Sequence, residues 1–188
     1  MESPPRADLV IGLTGPNAAG KGAVAAYLQK LGFELHSLSD VVREEAASRR
    51  LPLEREHLIR IGNLLRQEDG AGVLARKILE RLKGPAVVDS IRNPAEVEVL
   101  RKALPSFVLV GVKAPVEIRF GRGLERGRPG DPKTIEEFRA RERQENATDP
   151  EGQRLDATFL LADSVVDNSG SLGQLEEKVD RILARLTV

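Results

Sequence analysis

Residues 15–22 read GPNAAGKG and follow the apolar run LVIGLT. A glycine, a four-residue gap and then Gly-Lys is close to the pattern G-x-x-x-x-G-K-[ST]. In that pattern backbone N–H groups cradle phosphate oxygens and the lysine adds a positive charge. A strand entering the loop and a helix leaving it aim the helix N-terminus at the same oxygens. Gly15, Asn17, Ala18, Ala19, Gly20, Lys21, Gly22 and Ala23 are therefore candidate contacts for a bound nucleotide. Gly22 stands where a Ser or Thr hydroxyl would normally sit on a magnesium ion. The plainer alternative is an ordinary strand–turn–helix corner with a surface lysine.

Charged side chains recur after the later apolar runs. Asp40 and Arg43 lie in LSDVVREE, and Asp89, Arg92 and Glu96 lie in VVDSIRNPAEVE. Arg92 is placed to grip a phosphate, because a guanidinium offers a two-pronged fork. Residues 119–131, RFGRGLERGRPGD, carry four arginines against one glutamate before the final aspartate. Arg122 and Arg126 share one helical face, Arg128 opens the GRPGDP turn, and Arg139 and Arg141 lie on the next helical stretch. Gly121, Gly123, Gly127 and Gly130 favour a mobile cap over a purely structural helix. Phosphoryl transfer needs such parts, since it depends on positioning, on neutralising charge at the phosphate oxygens and on excluding water. The alternative for each arginine is a solvated helix residue with a nearby acid.

Short apolar runs alternate with longer amphipathic stretches. Strands are expected at 8–14, 33–36, 85–89, 106–112 and 164–166. Helices are expected at 20–31, from 39, over 55–82 with a break at 69–72, and at 94–104, 114–126, 133–146 and 172–186. Strands joined by helices of ten or more residues imply crossovers and a parallel sheet, with ligands beyond the C-terminal strand ends. With 29 basic and 29 acidic residues the net charge is zero, and only 3% of residues are aromatic. That balance offers no groove or stacking platform for nucleic acid. The absence of cysteine excludes disulfides and thiol catalysis. No apolar run approaches the about 20 residues that span a bilayer, so a cytoplasmic protein without a membrane partner is expected. No pattern sets an oligomeric state.

The loop GKGA resembles the GKG(T) version found in adenylate kinase-like nucleoside monophosphate kinases, with Ala23 in place of the Thr. LSDVVREE resembles the TGDMLR segment of those enzymes, with Asp40 and Arg43 in register. VVDSIRNPAEVE resembles their DGFPR segment shortened by one residue. RGLERG is similar to the start of the lid in UMP/CMP-type kinases, GRPGDP resembles a GRxDD lid, and VVDNSG lies where such enzymes have an adenine-holding turn. The chain thus resembles that superfamily, together with the related dephospho-CoA-kinase-like and archaeal adenylate-kinase-related P-loop proteins.

The resemblance implies an α/β P-loop NTPase fold with about five parallel strands, one domain over 1–188 and a short arginine-rich lid near 114–147. It implies ATP and Mg²⁺, the metal being held by water and Asp89. Arg122 would stack on adenine, and Arg126 and Arg128 would meet the transferring phosphates. Arg139 or Arg141 would be a further phosphate ligand. Asp40, Arg43 and Arg92 would hold a small phosphorylated acceptor, and Glu96 would read its base. The acceptor expected is a nucleoside or deoxynucleoside monophosphate. The alternatives are dephospho-CoA, or a regulatory ATPase that binds ATP without transfer and needs the loop but neither acceptor arginine.

Overall fold

The computed structural model describes residues 6, 8–127, 130–146 and 152–186. Strand β1 (Val10–Thr14) is buried throughout and runs into the glycine loop, from which α1 (Lys21–Lys30) departs. Strand β2 (Glu34–Ser37) precedes α2 (Leu38–Ser48), α3 (Arg55–Asp69) and α4 (Val73–Leu79). Strand β3 (Ala86–Asp89) leads into α5 (Pro94–Ala103). Strand β4 (Phe107–Lys113) is followed by α6 (Val116–Arg126), α7 (Ile135–Glu145) and α8 (Leu155–Phe159). Strand β5 (Ser164–Asp167) and α9 (Leu172–Leu186) follow.

The five strands pair in the order β2-β3-β1-β4-β5, and every pairing is parallel. All carboxyl ends therefore share one edge, with Ser37 opposite Asp89 and Thr14 opposite Gly111. Successive side chains of a strand point to opposite faces, and the core divides accordingly. Val10, Val88 and Leu109 pack with α2–α5 through residues such as Leu74, Val97 and Leu100. Ile11, Leu13, Val87 and Val112 pack with Val24 and Leu28 of α1 and Leu175 and Val179 of α9. The two-sided burial explains the unbroken apolar runs of the inner strands. β2 lies at the sheet edge, is half-exposed and carries Glu34 and His36.

Two β1–loop glycines answer to space rather than to flexibility. A Cβ on Gly12 would lie 2.6 Å from Phe107 Cζ and 2.7 Å from Ile91 Cδ1. Gly15 has φ +133° and lies against the carbonyl of Val112, so a side chain is excluded on both counts. By contrast α6 runs as a regular helix through Gly121 and Gly123, stopping at Gly127 in the left-handed region. Gly123 faces the Phe138 ring, and Phe120 meets Phe138 edge-on at 6.0 Å, which packs α6 on α7.

One ion pair links the helices beside the sheet. Glu96 is fully buried in α5, and its Oε1 accepts bonds from Arg66 of α3, from Nε at 3.2 Å and Nη2 at 2.9 Å. Its Oε2 accepts the backbone N–H groups of Arg92 at 2.8 Å and Asn93 at 3.0 Å. This is a capping box, with Asn93 as cap and Pro94 in the first turn. Removing one partner of a buried pair leaves an unbalanced charge, a loss of about 3–5 kcal/mol. Glu96→Ala is therefore expected to lower the unfolding free energy by about that amount in urea titrations, and a change under about 1 kcal/mol would contradict the assignment.

Candidate functional site

The glycine loop is built on left-handed backbone at Gly15, Ala18 and Gly20, with φ of 133°, 57° and 102°. Ala18 holds a conformation that costs a non-glycine residue about 1–3 kcal/mol, the kind of strain that collects at ligand sites. Gly20 is the N-cap of α1 and provides no side-chain cap bond, which leaves the first amides of the helix free for an anion. Gly22 faces open space, with nothing within 4 Å of a Cβ placed there. Its missing hydroxyl is not imposed by crowding.

Lys21 folds back over the loop, and its Nζ donates to the carbonyls of Gly15 at 2.7 Å and Pro16 at 2.9 Å. Burial pushes its pKa down to about 8; the Asp89 carboxylate opposes that, while Arg92, Arg119 and Arg55 push further down. Asp89 ends β3, and its Oδ1 is buried with no hydrogen-bond partner. An orphaned carboxylate oxygen in reach of a buried ammonium fits a site for a hard cation. Among the described residues no group of three or more His, Cys, Asp or Glu could hold a metal. Asp89 is the acid here that would hold a magnesium ion, through water.

The turn after Asp89 is tightly held. Ser90 has φ +67° and accepts a bond from Ser37 Oγ at 3.3 Å, and Thr14 Oγ1 donates to the Ile91 carbonyl at 2.9 Å. Arg92 thereby turns back toward the loop and donates to Gln153 Oε1 at 3.0 Å. Burial lowers its pKa, and the Arg55 guanidinium adds to that, against Glu145, Asp89 and Glu96. On the other side of the loop Arg122 donates to the carbonyls of Ala19 at 3.4 Å and Asn168 at 2.9 Å. Asn168 Nδ2 also donates to Ala19 O at 2.9 Å, so the VVDNSG turn is fastened to the loop.

Lys21, Asp89 and Arg92 are thus brought together, with Arg122 across the loop. The remaining expected residues are placed differently. Glu96 is enclosed with both oxygens engaged, so the expectation that it reads an acceptor base is corrected: it positions the turn that carries Arg92. Asp40 and Arg43 pair with each other at 2.6 Å on the exposed start of α2. Arg126 pairs with Asp131 at 3.0 Å, and Arg139 with Glu117 at 3.1 Å on the outer rim. Arg141 donates to the Gly130 carbonyl at 2.7 Å. Arg128 lies outside the described residues.

Two further cations join the centre. Arg119 of α6 is buried, donates to the carbonyls of Ala114 at 3.0 Å and Asn17 at 3.2 Å, and pairs with Glu142 of α7. Its guanidinium also lies 5.5 Å from the Phe138 ring centre. Arg55 opens α3 and forms a two-pronged pair with Glu145. A cation at a helix N-terminus opposes the helix dipole, and that was the one local signal in the sequence for Arg55.

A glycine loop at the carboxyl end of β1, ordered parallel strands and converging cations define a P-loop protein with a kinase-like fold. The chain belongs to the AAA domain family, which matches residues 14–139, and to the UPF0200 family. It is 36% identical over 183 residues to a UPF0200 protein of Hyperthermus butylicus, covering 95% of each chain. It is 39% identical over 184 residues to the UPF0200/UPF0201 protein of Archaeoglobus fulgidus, and spans 55% of that protein's length. Among solved structures, TT1252 of Thermus thermophilus superposes with a TM-score of 0.62 at 27% identity, covering 97% of this chain and 100% of that one. The shikimate kinase of Bacteroides thetaiotaomicron superposes with a TM-score of 0.59 at 14% identity over 96% of this chain and 99% of that one, a likeness of fold alone.

The Lys21 pKa carries a prediction about ligand binding. In the free protein the ammonium loses its proton near pH 8, and phosphate oxygens beside it would restore the charged form. Nucleotide binding is therefore expected to take up protons near pH 8 and none well below it, with affinity falling as pH rises above 8. Calorimetry in buffers of different ionisation enthalpy reads this directly, and equal heats across buffers near that pH would contradict it. The same shift makes the free protein gain stability as pH rises from 8 to 10.5, the span over which the unfolded chain still holds the proton.

Proposed function

We propose that the protein transfers the γ-phosphoryl group of ATP to a small acceptor that already bears a phosphate, a nucleoside or deoxynucleoside monophosphate. The observation that carries this reading is the convergence of Lys21, Arg92 and the unpartnered Asp89 carboxylate at one end of β1 and β3. A phosphate-binding ATPase needs the loop and its lysine; a partly buried guanidinium on the neighbouring strand turn is an additional anion site.

In this reading the free amides of α1 and Lys21 bind the β- and γ-phosphates. Arg122, held between Ala19 and Asn168, lies beside the adenine. Arg92 grips the acceptor phosphate and orients one of its oxygens for in-line attack. The bond from γ-phosphorus to the β–γ bridging oxygen breaks as the new phosphorus–oxygen bond forms, and ADP leaves with the electron pair. An acceptor phosphate oxygen is already anionic, so no general base is required. A bound magnesium would supply positive charge to neutralise what develops on the phosphate oxygens. Asp89 would hold it through water. Arg126, Arg139 and Arg141 would reach the phosphates only by leaving Asp131, Glu117 and Gly130, a motion of the α6–α7 pair. Such motion is the usual means by which kinases exclude water.

A second reading, ATP binding with regulatory hydrolysis and no transfer, is favoured by the surface pairing of Arg43 with Asp40, which leaves one acceptor arginine fewer at the centre.

The deciding experiment offers ATP and Mg²⁺ with AMP, CMP, dCMP, UMP, dTMP, GMP or dephospho-CoA and weighs the products. One acceptor is expected to gain a phosphoryl group, and Lys21→Ala is expected to lower that turnover by about 100-fold or more with the fold intact. ATP hydrolysis that is indifferent to every acceptor would exclude the transfer reading.

A further inference from the structure

Arg55, the first residue of α3, and Glu145, the last of α7, form a parallel two-bond pair across 90 residues of sequence. Nε donates to Oε1 at 2.8 Å and Nη2 to Oε2 at 2.6 Å. The glutamate side chain is 6% exposed and the arginine 29%. One turn earlier on α7, Glu142 holds Arg119 in the same way. Two of the cations that face Lys21 therefore carry carboxylates from α7 as counterions.

Arg92 is different. Its side chain donates to the neutral amide of Gln153, while the Arg55 charge lies close enough to disfavour its own. Arg55 and Arg92 thus lie within electrostatic reach of each other, and an anion that met both guanidiniums would be held twice. A carboxylate left beside an incoming phosphate would repel it, so the acid has to give way. Glu145 ends its helix, and its exchange requires no disruption of the α7 backbone ladder.

We propose that Arg55 is a specificity-determining ligand for the anionic group of the acceptor, and that Glu145 is the internal counterion which that group displaces. The inference rests on the transfer reaction proposed above. It gives the site a charge filter. A neutral alcohol has nothing to exchange for the Glu145 carboxylate, because separating a buried pair without replacement is strongly unfavourable. A phosphate monoester replaces it on Arg55 and carries enough charge to meet Arg92 as well.

The test uses inorganic phosphate as probe, titrated by ³¹P NMR into protein whose loop is saturated with a non-hydrolysable ATP analogue. Glu145→Gln frees Arg55 from a charged competitor and is expected to tighten phosphate binding by about tenfold, the scale of one charge-assisted bond pair. Adding Arg55→Ala to Glu145→Gln is expected to abolish that gain with the ATP analogue still saturating the loop. The double variant leaves no buried charge unpaired, so circular dichroism should show an intact fold. Equal phosphate affinity in wild type and Glu145→Gln, a gain that persists without Arg55, or no binding in any variant would overturn the proposal. With an active acceptor, Glu145→Gln should lower its KM and leave kcat nearly unchanged. If no acceptor is phosphorylated, the transfer reading fails, while the phosphate titration still decides the role of Arg55.

Discussion

Charge balance at the carboxyl edge of the sheet governs this molecule. A site that binds phosphates must gather cations, and gathered cations repel one another before any phosphate arrives. Here Arg55, Arg92 and Arg119 all lie within electrostatic reach of Lys21, and Arg55 within reach of Arg92. The protein supplies its own counterions, with Asp89 supporting Lys21, Glu145 holding Arg55 and Glu142 holding Arg119. Burial first, and repulsion from the neighbouring guanidiniums after it, push Lys21 down to about 8 and lower Arg92 as well. Phosphate oxygens beside these groups would favour their charged forms.

The fold exists to hold those groups still. Ser37, Asp89 and Thr14 share an edge because parallel pairing brings every carboxyl end to one side. The turn that carries Arg92 is fixed from three directions, by Thr14 on Ile91, by Glu96 on the Arg92 and Asn93 amides, and by Asn93 on the Gly152 carbonyl. Glu96 can serve there only because Arg66 neutralises it in the core. A single buried acid therefore couples the stability of α3 and α5 to the position of an arginine in the site.

Much of this was legible in the sequence where the cause is local. β1, β3 and β4 read as apolar runs because both faces of the inner sheet are covered. The break between α3 and α4 was marked by Gly70 and Gly72. β2 was displaced by one residue because an edge strand with Glu34 and His36 has no apolar run to fix its ends. α8 was missed because its five residues are too few to show a period. Asn93-Pro94-Ala95-Glu96 satisfies two patterns at once, a capping box and the spacing of a base-reading acid, and only burial separates them. Arg55 and Arg119 depend on partners 90 and 23 residues away, a distance over which no spacing rule operates.

Gly22 is the position where local and global evidence meet. A side chain would fit there, so glycine is not a packing requirement, and the loop offers no hydroxyl to a cation. Among the described residues, the buried carboxylate oxygen left without a hydrogen bond is Asp89 Oδ1, on the adjacent strand. A ligand on β3 rather than on α1 ties cation binding to the same turn that positions Arg92. The first turn of α1 carries no acidic side chain, and in the proposed reading its amides and Lys21 meet the phosphates. In the proposed reading, the metal-binding role therefore falls to the turn that also positions Arg92. In such a site, metal loading and acceptor positioning depend on one rigid element.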